Sequence, residues 1–337
     1  MHQPVGVRIA GSSPTGASAL FYGGGGAGCL LILRPYLKGE EMPLERFICP
    51  DKESIGVKDC LTKCRMAERC LTLPTLTLIA EEREWHGVPS TTQLLNGTMM
   101  EFLKLTKPYA VDPDRRMFML AGTNHHKSLE LAAKELGLPA EVALSIDRDI
   151  FDLLEEEDGE LVMTDYKLWG SYAVAKALGI VKVGEQPDPS GEVYKSTGKW
   201  GKAGSPKMVP IFQRNASQAD NADVELQQNR YRVKLAEKGI QLKRMQIQVI
   251  VRDGGLAIAT SRGITRNSYR IPIKKIEDDV VTAFFAAKES ALLSALAMGK
   301  WEQPCSEAEC WEGKRCQDYC DVACYCPKGL LYITGGN

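Results

Sequence analysis

The residues best suited to chemistry stand in a fixed order: Gly122-Thr123-Asn124-His125-His126 with Glu130, then Asp152, then Asp165-Tyr166-Lys167, then Gln227 and Tyr231. Carboxylates supply the hard oxygen ligands that Mg²⁺ or Mn²⁺ prefers. A lysine beside them can orient or activate a water and offset charge developing on a phosphate. Asp165 and Lys167 are two apart, so on a strand both project to one side. Together these groups suit metal-assisted hydrolysis of a phosphodiester. Asp-x-Lys alone is common at solvated strand ends, so the weight rests on the ordered set. Carboxylates held close raise one another's pKa and repel unless a cation neutralises them, so such a site is expected to need its metal.

Several elements must position these groups. A helix starting near Met117 carries His126 and Glu130 on one face, because residues four apart are helical neighbours. After Leu138-Pro139 the pattern becomes extended, with strands expected over 142–146, 150–154 and 160–166 and the acidic run Glu155-Glu156-Glu157-Asp158-Gly159 as a turn. Asp152 and Asp165 share a sheet face only if paired residue numbers sum to an odd value, such as Leu153 opposite Glu160. The even register, Leu154 opposite Glu160, needs a bulge. Asp147 and Asp149 compete with Asp152, as His125 does with His126.

Upstream, residues 73–105 read as helical, with Ser90 or Thr91 capping a run through Leu94, Leu95 and Phe102 that Asp112-Pro113 ends. Downstream, Val224, Gln227, Tyr231 and Leu235 lie on one helical face. Met245, Ile247, Val249 and Val251 alternate as a strand, Leu256 to Thr260 and Tyr269 to Ile273 read as further strands, and a long helix over 276–298 should bury Val280, Val281, Phe284 and Leu292. Lys195, Lys199, Lys202 and Lys207 surround Trp200 and lead to Arg214; this segment either grips phosphates while stacking a base or is a solvated linker. Arg252, Arg262 and Arg266 read as loop charges or the wall of a DNA path.

The 337 residues carry 42 Lys and Arg against 43 Asp and Glu, a formal net charge of −1. Any nucleic-acid contact must therefore come from local basic patches. No run of eighteen apolar residues and no signal-peptide pattern stands in the chain, so a cytoplasmic location with no membrane partner is expected, in a bacterium or as a phage protein in its host. Residues 1–41, with Gly23-Gly24-Gly25-Gly26, are expected to be a disordered arm or a non-native extension. Lys38-Gly39-Glu40-Glu41 needs purine-rich codons, as a bacterial ribosome-binding site would, which suggests translation from Met42.

Eleven cysteines are too many for packing alone, and in a reducing compartment they suggest metal ligation. Cys29 is the odd one left over. Cys49, Cys60, Cys64 and Cys70 fall within residues 42–72 and could surround one zinc or iron centre, although their spacing is not a CxxC knuckle. Cys305, Cys310, Cys316, Cys320, Cys324 and Cys326 fall within residues 301–337.

The glycine-histidine helix, Asp152, the thirteen-residue step to Asp165-Tyr166-Lys167, and Gln227-x-x-x-Tyr231 together resemble the RecB-like branch of the PD-(D/E)XK nuclease superfamily. The resemblance implies an α/β, restriction-endonuclease-like core, a mixed sheet flanked by helices, over residues 73–300, with cysteine-rich metal-binding segments at both ends. It implies that His126, Asp152 and Asp165 bind the ion with the backbone carbonyl of Tyr166, that Lys167 is the catalytic lysine, and that Glu130 supports the histidine or a water. Gln227 and Tyr231 would position DNA or order Lys167.

Iron–sulfur members of this family, of the AddB and CRISPR-associated kinds, clasp a cluster with one cysteine before the core and three after it. Carried over, this implies Cys316, Cys320 and Cys326 with Cys70 as ligands. The chain departs from the pattern, because four cysteines precede the histidine helix and six follow the core. Two independent sites, either of which could hold zinc, are the alternative. The activity implied is a metal-dependent DNA exonuclease in recombination, repair or phage DNA processing, acting on DNA with single-stranded character. No phosphate-binding motor loop is present, so a helicase or recombination partner would supply one. A metal-stapled DNA-binding or adaptor protein without catalysis is the competing reading.

Overall fold

The computed structural model describes residues 44–81, 85–145, 149–199 and 201–334. The expectations for the N-terminal arm, Cys29, Met42, Asp147 and Trp200 lie outside the described residues.

The chain opens with β1 (Leu44–Ile48), β2 (Ser54–Gly56), α1 (Val57–Thr62) and α2 (Leu73–Ala80), followed by α3 (Thr91–Leu95), α4 (Thr98–Thr106) and β3 (Tyr109–Val111). β1 pairs antiparallel with β2 and parallel with β3. The early cysteine-rich segment thus shares a small sheet with residues just ahead of the histidine helix. The run expected to follow Ser90 is two helices. Ser90 and Gln93 form a reciprocal capping box that starts α3, and Asn96-Gly97 separates α3 from α4. A Cβ on Gly97 would fall 2.2 Å from Cys305 Sγ, so the break admits the C-terminal segment against the backbone.

Next come α5 (Met117–Glu135), β4 (Ala140–Ala143), β5 (Ile150–Glu157) and β6 (Glu160–Trp169), then α6 (Ser171–Leu178), β7 (Ile180–Pro187) and β8 (Met208–Arg214). The chain continues through α7 (Ala222–Glu237), β9 (Arg244–Val251), α8 (Ala257–Thr260), β10 (Ser268–Ile273), α9 (Asp278–Met298), α10 (Lys314–Asp318) and α11 (Pro327–Ile333). The central sheet is mixed, in the order β10-β9-β6-β5-β4, with β6 and β9 parallel and the other neighbours antiparallel. α5 covers one face, packing Leu129 and Ala133 on Ala140, Leu153 and Tyr166. α6 and α7 cover the other, with Val174, Leu178, Tyr231 and Leu235 on Leu154, Met163, Ile247 and Val249. The architecture is a mixed α/β fold with helices on both faces of its main sheet.

The β5–β6 hairpin is longer than the sequence pattern suggests. Glu155–Glu157 are strand, and the turn is Asp158-Gly159 alone, with φ of 54° and 76°. Two central residues with positive φ make the tight turn whose twist suits a hairpin. Glu157 therefore faces Glu160, and the register continues to Leu153 opposite Thr164. Every pair sums to an odd number, which directs Asp152 and Asp165 towards one another across the strands.

Leu256 to Thr260 form the short helix α8 and its approach, not a strand. Its backbone bonds close locally, from the Thr260 N–H to Leu256 O at 3.2 Å and from the Ser261 N–H to Ala257 O at 2.9 Å, as in a helical turn. α9 buries Val281, Phe285, Leu292 and Ala295, whereas Val280 is exposed and Phe284 half-buried. Among the described residues α9 is the one helix long and apolar enough to cross a membrane by length and composition. It packs as a core helix here, with Leu292 and Ala295 against Met99, Leu103, Val322 and Cys326. Polar ties reinforce this contact. Lys288 Nζ donates to Asn96 O and Glu309 Oε1, each at 2.6 Å, and Asp321 pairs with Arg116 and, at 3.3 Å, with Lys104. The C-terminal cysteines are thereby fixed to the helices that precede the histidine helix.

The basic segment after β7 is the far end of a two-stranded ribbon, β7 with β8, rather than a free linker. Val193 bridges to Pro206 and Gly198 to Gly201. Lys207 pairs with Glu192 at 2.5 Å, which offsets part of the positive charge there.

Candidate metal centre and cysteine clusters

The hairpin register, extended by one residue, sets Asp152 opposite Asp165. β4 pairs Ala140 with Leu153 and Val142 with Phe151, so Glu141 faces Asp152 from the edge strand. Three adjacent strands thus bring a carboxylate each to one row. Beyond Leu153–Thr164 the β5–β6 ladder stops, and Asp152 Oδ2 accepts the Tyr166 N–H at 2.7 Å. His126 reaches this opening from α5. Its Nδ1 lies 3.4 Å from Asp152 Oδ2 and 3.4 Å from Glu141 Oε1.

His126, Glu141 and Asp152 each offer a ligand atom, and these atoms lie within 4.8 Å of one another. That donor set, one imidazole and two carboxylates, fits a divalent cation such as Mg²⁺ or Mn²⁺. Hydrogen bonding to Asp152 and Glu141 raises the His126 pKa to about 10. A proton therefore sits where a cation would be drawn. Asp165 is buried and stands beside the trio rather than within it, with Lys167 Nζ 2.6 Å from its Oδ2. Burial pushes its carboxyl well above the usual range against the pull of Lys167. Lys167 is its ion-pair and hydrogen-bond partner.

Burial works to lower the Lys167 ammonium, but Asp165 and Asp152 more than compensate and hold it above its ordinary value. Lys167 Nζ also donates to Gln227 Oε1 at 3.3 Å, and Gln227 Nε2 donates to Tyr231 OH at 3.2 Å. Burial pushes the Tyr231 phenol upward, so it stays protonated. Helix α7 thus orders Lys167 through a two-step polar chain.

Of the residues singled out in the sequence, His126, Asp152, Asp165, Lys167, Gln227 and Tyr231 meet here, but Asp165 and the Tyr166 carbonyl, expected as ligands, are not in the trio, Glu130 stays apart, and Glu141 is an addition. Glu130 forms an i,i+4 pair with Lys134 at 2.5 Å and is not among the carboxylates grouped with His126. Glu141, absent from the sequence-derived set, takes the place beside the histidine. Its φ is +51°, and the signal that could have found it is its register against Asp152. His125 stacks edge-on to Tyr166, with ring centroids 6.0 Å apart, and burial lowers its pKa. Asp149 is fully buried in another network, accepting from Thr91 and from Ser145 at 3.0 Å and pairing with Arg230 at 3.2 Å and Lys234 at 3.0 Å. It braces α7 and the loop before β5.

The cysteines separate into two groups. Burial raises the Cys60 thiol pKa, and charge on Cys64, Cys49 and Cys70 would raise it further; Cys70 belongs with this early group. Cys305, Cys316, Cys320 and Cys326 line a cavity of about 20 Å³ together with Met99, Leu103 and Lys328. Burial pushes the Cys316 thiol up to about 11 and Cys320 to about 12. Cys310 is buried nearby, with its thiol 3.4 Å from Glu307 O.

No family model matches the chain, and no curated protein is similar to it. One solved structure, described as the crystal structure of SSO0001, matches with a TM-score of 0.35 and 11% identity over 76% of this chain and 94% of that one. A likeness this slight bears on neither fold nor function.

The raised His126 pKa gives the centre a pH signature. A folded pKa above the unfolded value stabilises the protein fully below pH 6.5 and ceases to do so as pH climbs through about 10. Metal-free protein is therefore expected to lose stability across that window. Mn²⁺ affinity should rise with pH, by about tenfold per unit below the histidine pKa where one proton leaves per ion bound. Calorimetric titration at several pH values checks this, and a pH-independent affinity would remove His126 from the ligand set.

Proposed function

We propose that this protein is a divalent-metal-dependent deoxyribonuclease with a restriction-endonuclease-like core of the RecB-like PD-(D/E)XK type. The single observation that carries this reading is the odd hairpin register. It brings Asp152, Asp165 and Lys167 together under His126, and Gln227 and Tyr231 then order the lysine. A solvated strand end has no reason to bury Asp165 or to order Lys167 from a second helix.

When bound, Mg²⁺ or Mn²⁺ neutralises the carboxylates and supplies Lewis acidity towards the phosphodiester. His126, Glu141 and Asp152 would hold the ion, with Asp165 beside them. Lys167 keeps its proton, so its part is to orient a water by donation and to face the charge that grows on the phosphate, rather than to act as a base. Gln227 fixes the Lys167 ammonium and Tyr231 fixes Gln227. Water is the nucleophile, and the scissile bond is P–O.

The four-cysteine cavity is the proposed seat of an iron–sulfur cluster, with Cys305 in the place the family resemblance gave to Cys70. A tetrahedral zinc site holds its sulfurs roughly 4 Å apart. Zinc is the alternative occupant of the same four thiols, and the colour and iron content of the purified protein separate the two. The setting proposed is DNA end processing beside a separate motor protein, on family analogy.

The experiment is cleavage of labelled single- and double-stranded DNA by the full chain. Hydrolysis is expected with Mn²⁺ and none with EDTA. A protein loaded with metal that leaves both substrates intact would be a binding or adaptor protein instead.

A further inference from the structure

Two ring–guanidinium pairs that the metal centre leaves unused stand at the carboxyl ends of β6 and β9. Phe118, in the first turn of α5, is 62% exposed, and the Arg252 guanidinium lies 3.9 Å from its ring centroid. Tyr172, in the first turn of α6, is 67% exposed, with the Arg262 guanidinium 5.9 Å from its centroid. Both arginines are anchored. The Arg252 backbone N–H donates to Trp169 O at 2.7 Å, which fixes its main chain while the guanidinium rests on Phe118, and Arg262 Nη1 donates to Ser171 Oγ at 2.9 Å and meets Asp253 Oδ2 at 3.5 Å. They are not loose loop charges.

The geometry points to a track for single-stranded nucleic acid, in which bases stack on Phe118 and Tyr172 while Arg252 and Arg262 take phosphates. It rests on the nuclease reading above and names where that enzyme would hold its strand. A ring with a guanidinium against one side keeps its other side open to a base. The same guanidinium presents forked donors that match phosphate geometry. Duplex DNA hides its base faces in the stack, so the occupant that uses both ring and charge is an unpaired strand.

The position suits this use. Phe118 precedes His126 by eight residues on α5, about 12 Å at the helical rise. Tyr172 follows Lys167 by five residues, past the end of β6. Open α/β sheets bind ligands beyond the carboxyl ends of their strands. A strand lying on these rings would thus enter the carboxylate row from the sheet's open end.

The test is fluorescence anisotropy of a labelled oligothymidylate with the full chain in EDTA, where cleavage is blocked, beside the same strand annealed to its complement. Phe118→Ala and Tyr172→Ala are each expected to weaken single-strand binding roughly tenfold, with an unchanged salt slope. Phe118→Trp should keep the affinity, and Arg252→Ala should lower the salt slope by about one. Circular dichroism melts report that each variant folds. Binding that is absent, indifferent to both rings, or equally ring-dependent for the duplex overturns the track. The two readings fail separately. Ring-dependent binding without Mn²⁺-dependent cleavage supports the track and removes only the catalysis, whereas cleavage with ring-independent binding removes only the track.

Discussion

A Lys167→Ala protein is expected to lose Mn²⁺-dependent DNA cleavage by roughly 10²- to 10⁴-fold while retaining its metal. The expectation follows from how the lysine is held. Its ammonium meets Asp165 at 2.6 Å and Gln227 at 3.3 Å, so it arrives at the centre already oriented. Removing it deletes the positive charge that faces the phosphate but leaves His126, Glu141 and Asp152 in place. It also leaves Asp165 buried without its counter-charge, which costs stability in the metal-free protein. A bound cation relieves that cost, so Mn²⁺ affinity is expected to hold or rise as cleavage collapses. Kinetics and calorimetry on the same preparations separate the outcomes: a variant that cleaves as fast as the wild type ends the catalytic role of Lys167, and one that loses metal and fold together would make it structural. Gln227→Ala should show a milder form of the same split, because it frees the lysine without removing it.

The two strands of the β5–β6 hairpin were readable because alternation is local, but alternation leaves the choice between odd and even register open, and both pairings named for it fall short of the observed Glu157 opposite Glu160. Alternation along β5 and β6, with Asp158-Gly159 as a two-residue turn, sets the register that directs Asp152 towards Asp165. The turn expected from Glu155 onward was too long, because glutamates read as loop where cross-strand Arg244 and Arg270 hold Glu157 in the sheet. The long helices α5, α7 and α9 were readable from periodicity, and the α7 face of Val224, Tyr231 and Leu235 is buried as its spacing suggests.

What stayed hidden depends on partners distant in sequence. Glu141 becomes a ligand candidate only once β4 is paired with β5, and nothing in its own neighbourhood announces that. Glu130 has the right helical spacing from His126 but a nearer cation in Lys134. Leu256 to Thr260 carries strand-like residues but finds no edge to pair with. The ribbon of β7 and β8 is masked by its glycine, serine and lysine content, since an exposed two-stranded element needs no apolar alternation. The cysteine partition was hidden too, because sequence distance to the core favoured Cys70, whereas the packing of the C-terminal segment on α4 and α9 brings Cys305 instead.

That partition makes the second large effect. Cys320→Ser is expected to abolish bound iron and the visible absorbance of the purified protein, whereas Cys70→Ser should retain both. Cys320, Cys326 and Cys305 belong to the cluster that joins α4, α9 and the C-terminal helices, so a centre bound there ties the two ends of the fold together. Its binding energy is folding energy wherever the unfolded chain cannot form the site. Losing it should cost at least about 3 kcal/mol, a fall of roughly 4 °C in Tm for a chain of this size. The thiol pKa values point the same way: Cys316 at about 11 and Cys320 at about 12 are unfavourable as thiolates unless a cation is present, so the arrangement gains most when a metal displaces the protons. Iron and acid-labile sulfide assays with thermal melts on the two variants decide the matter. Iron lost from Cys70→Ser but kept in Cys320→Ser would return the early cysteine to the ligand set, and a colourless zinc-containing wild type would replace the cluster altogether.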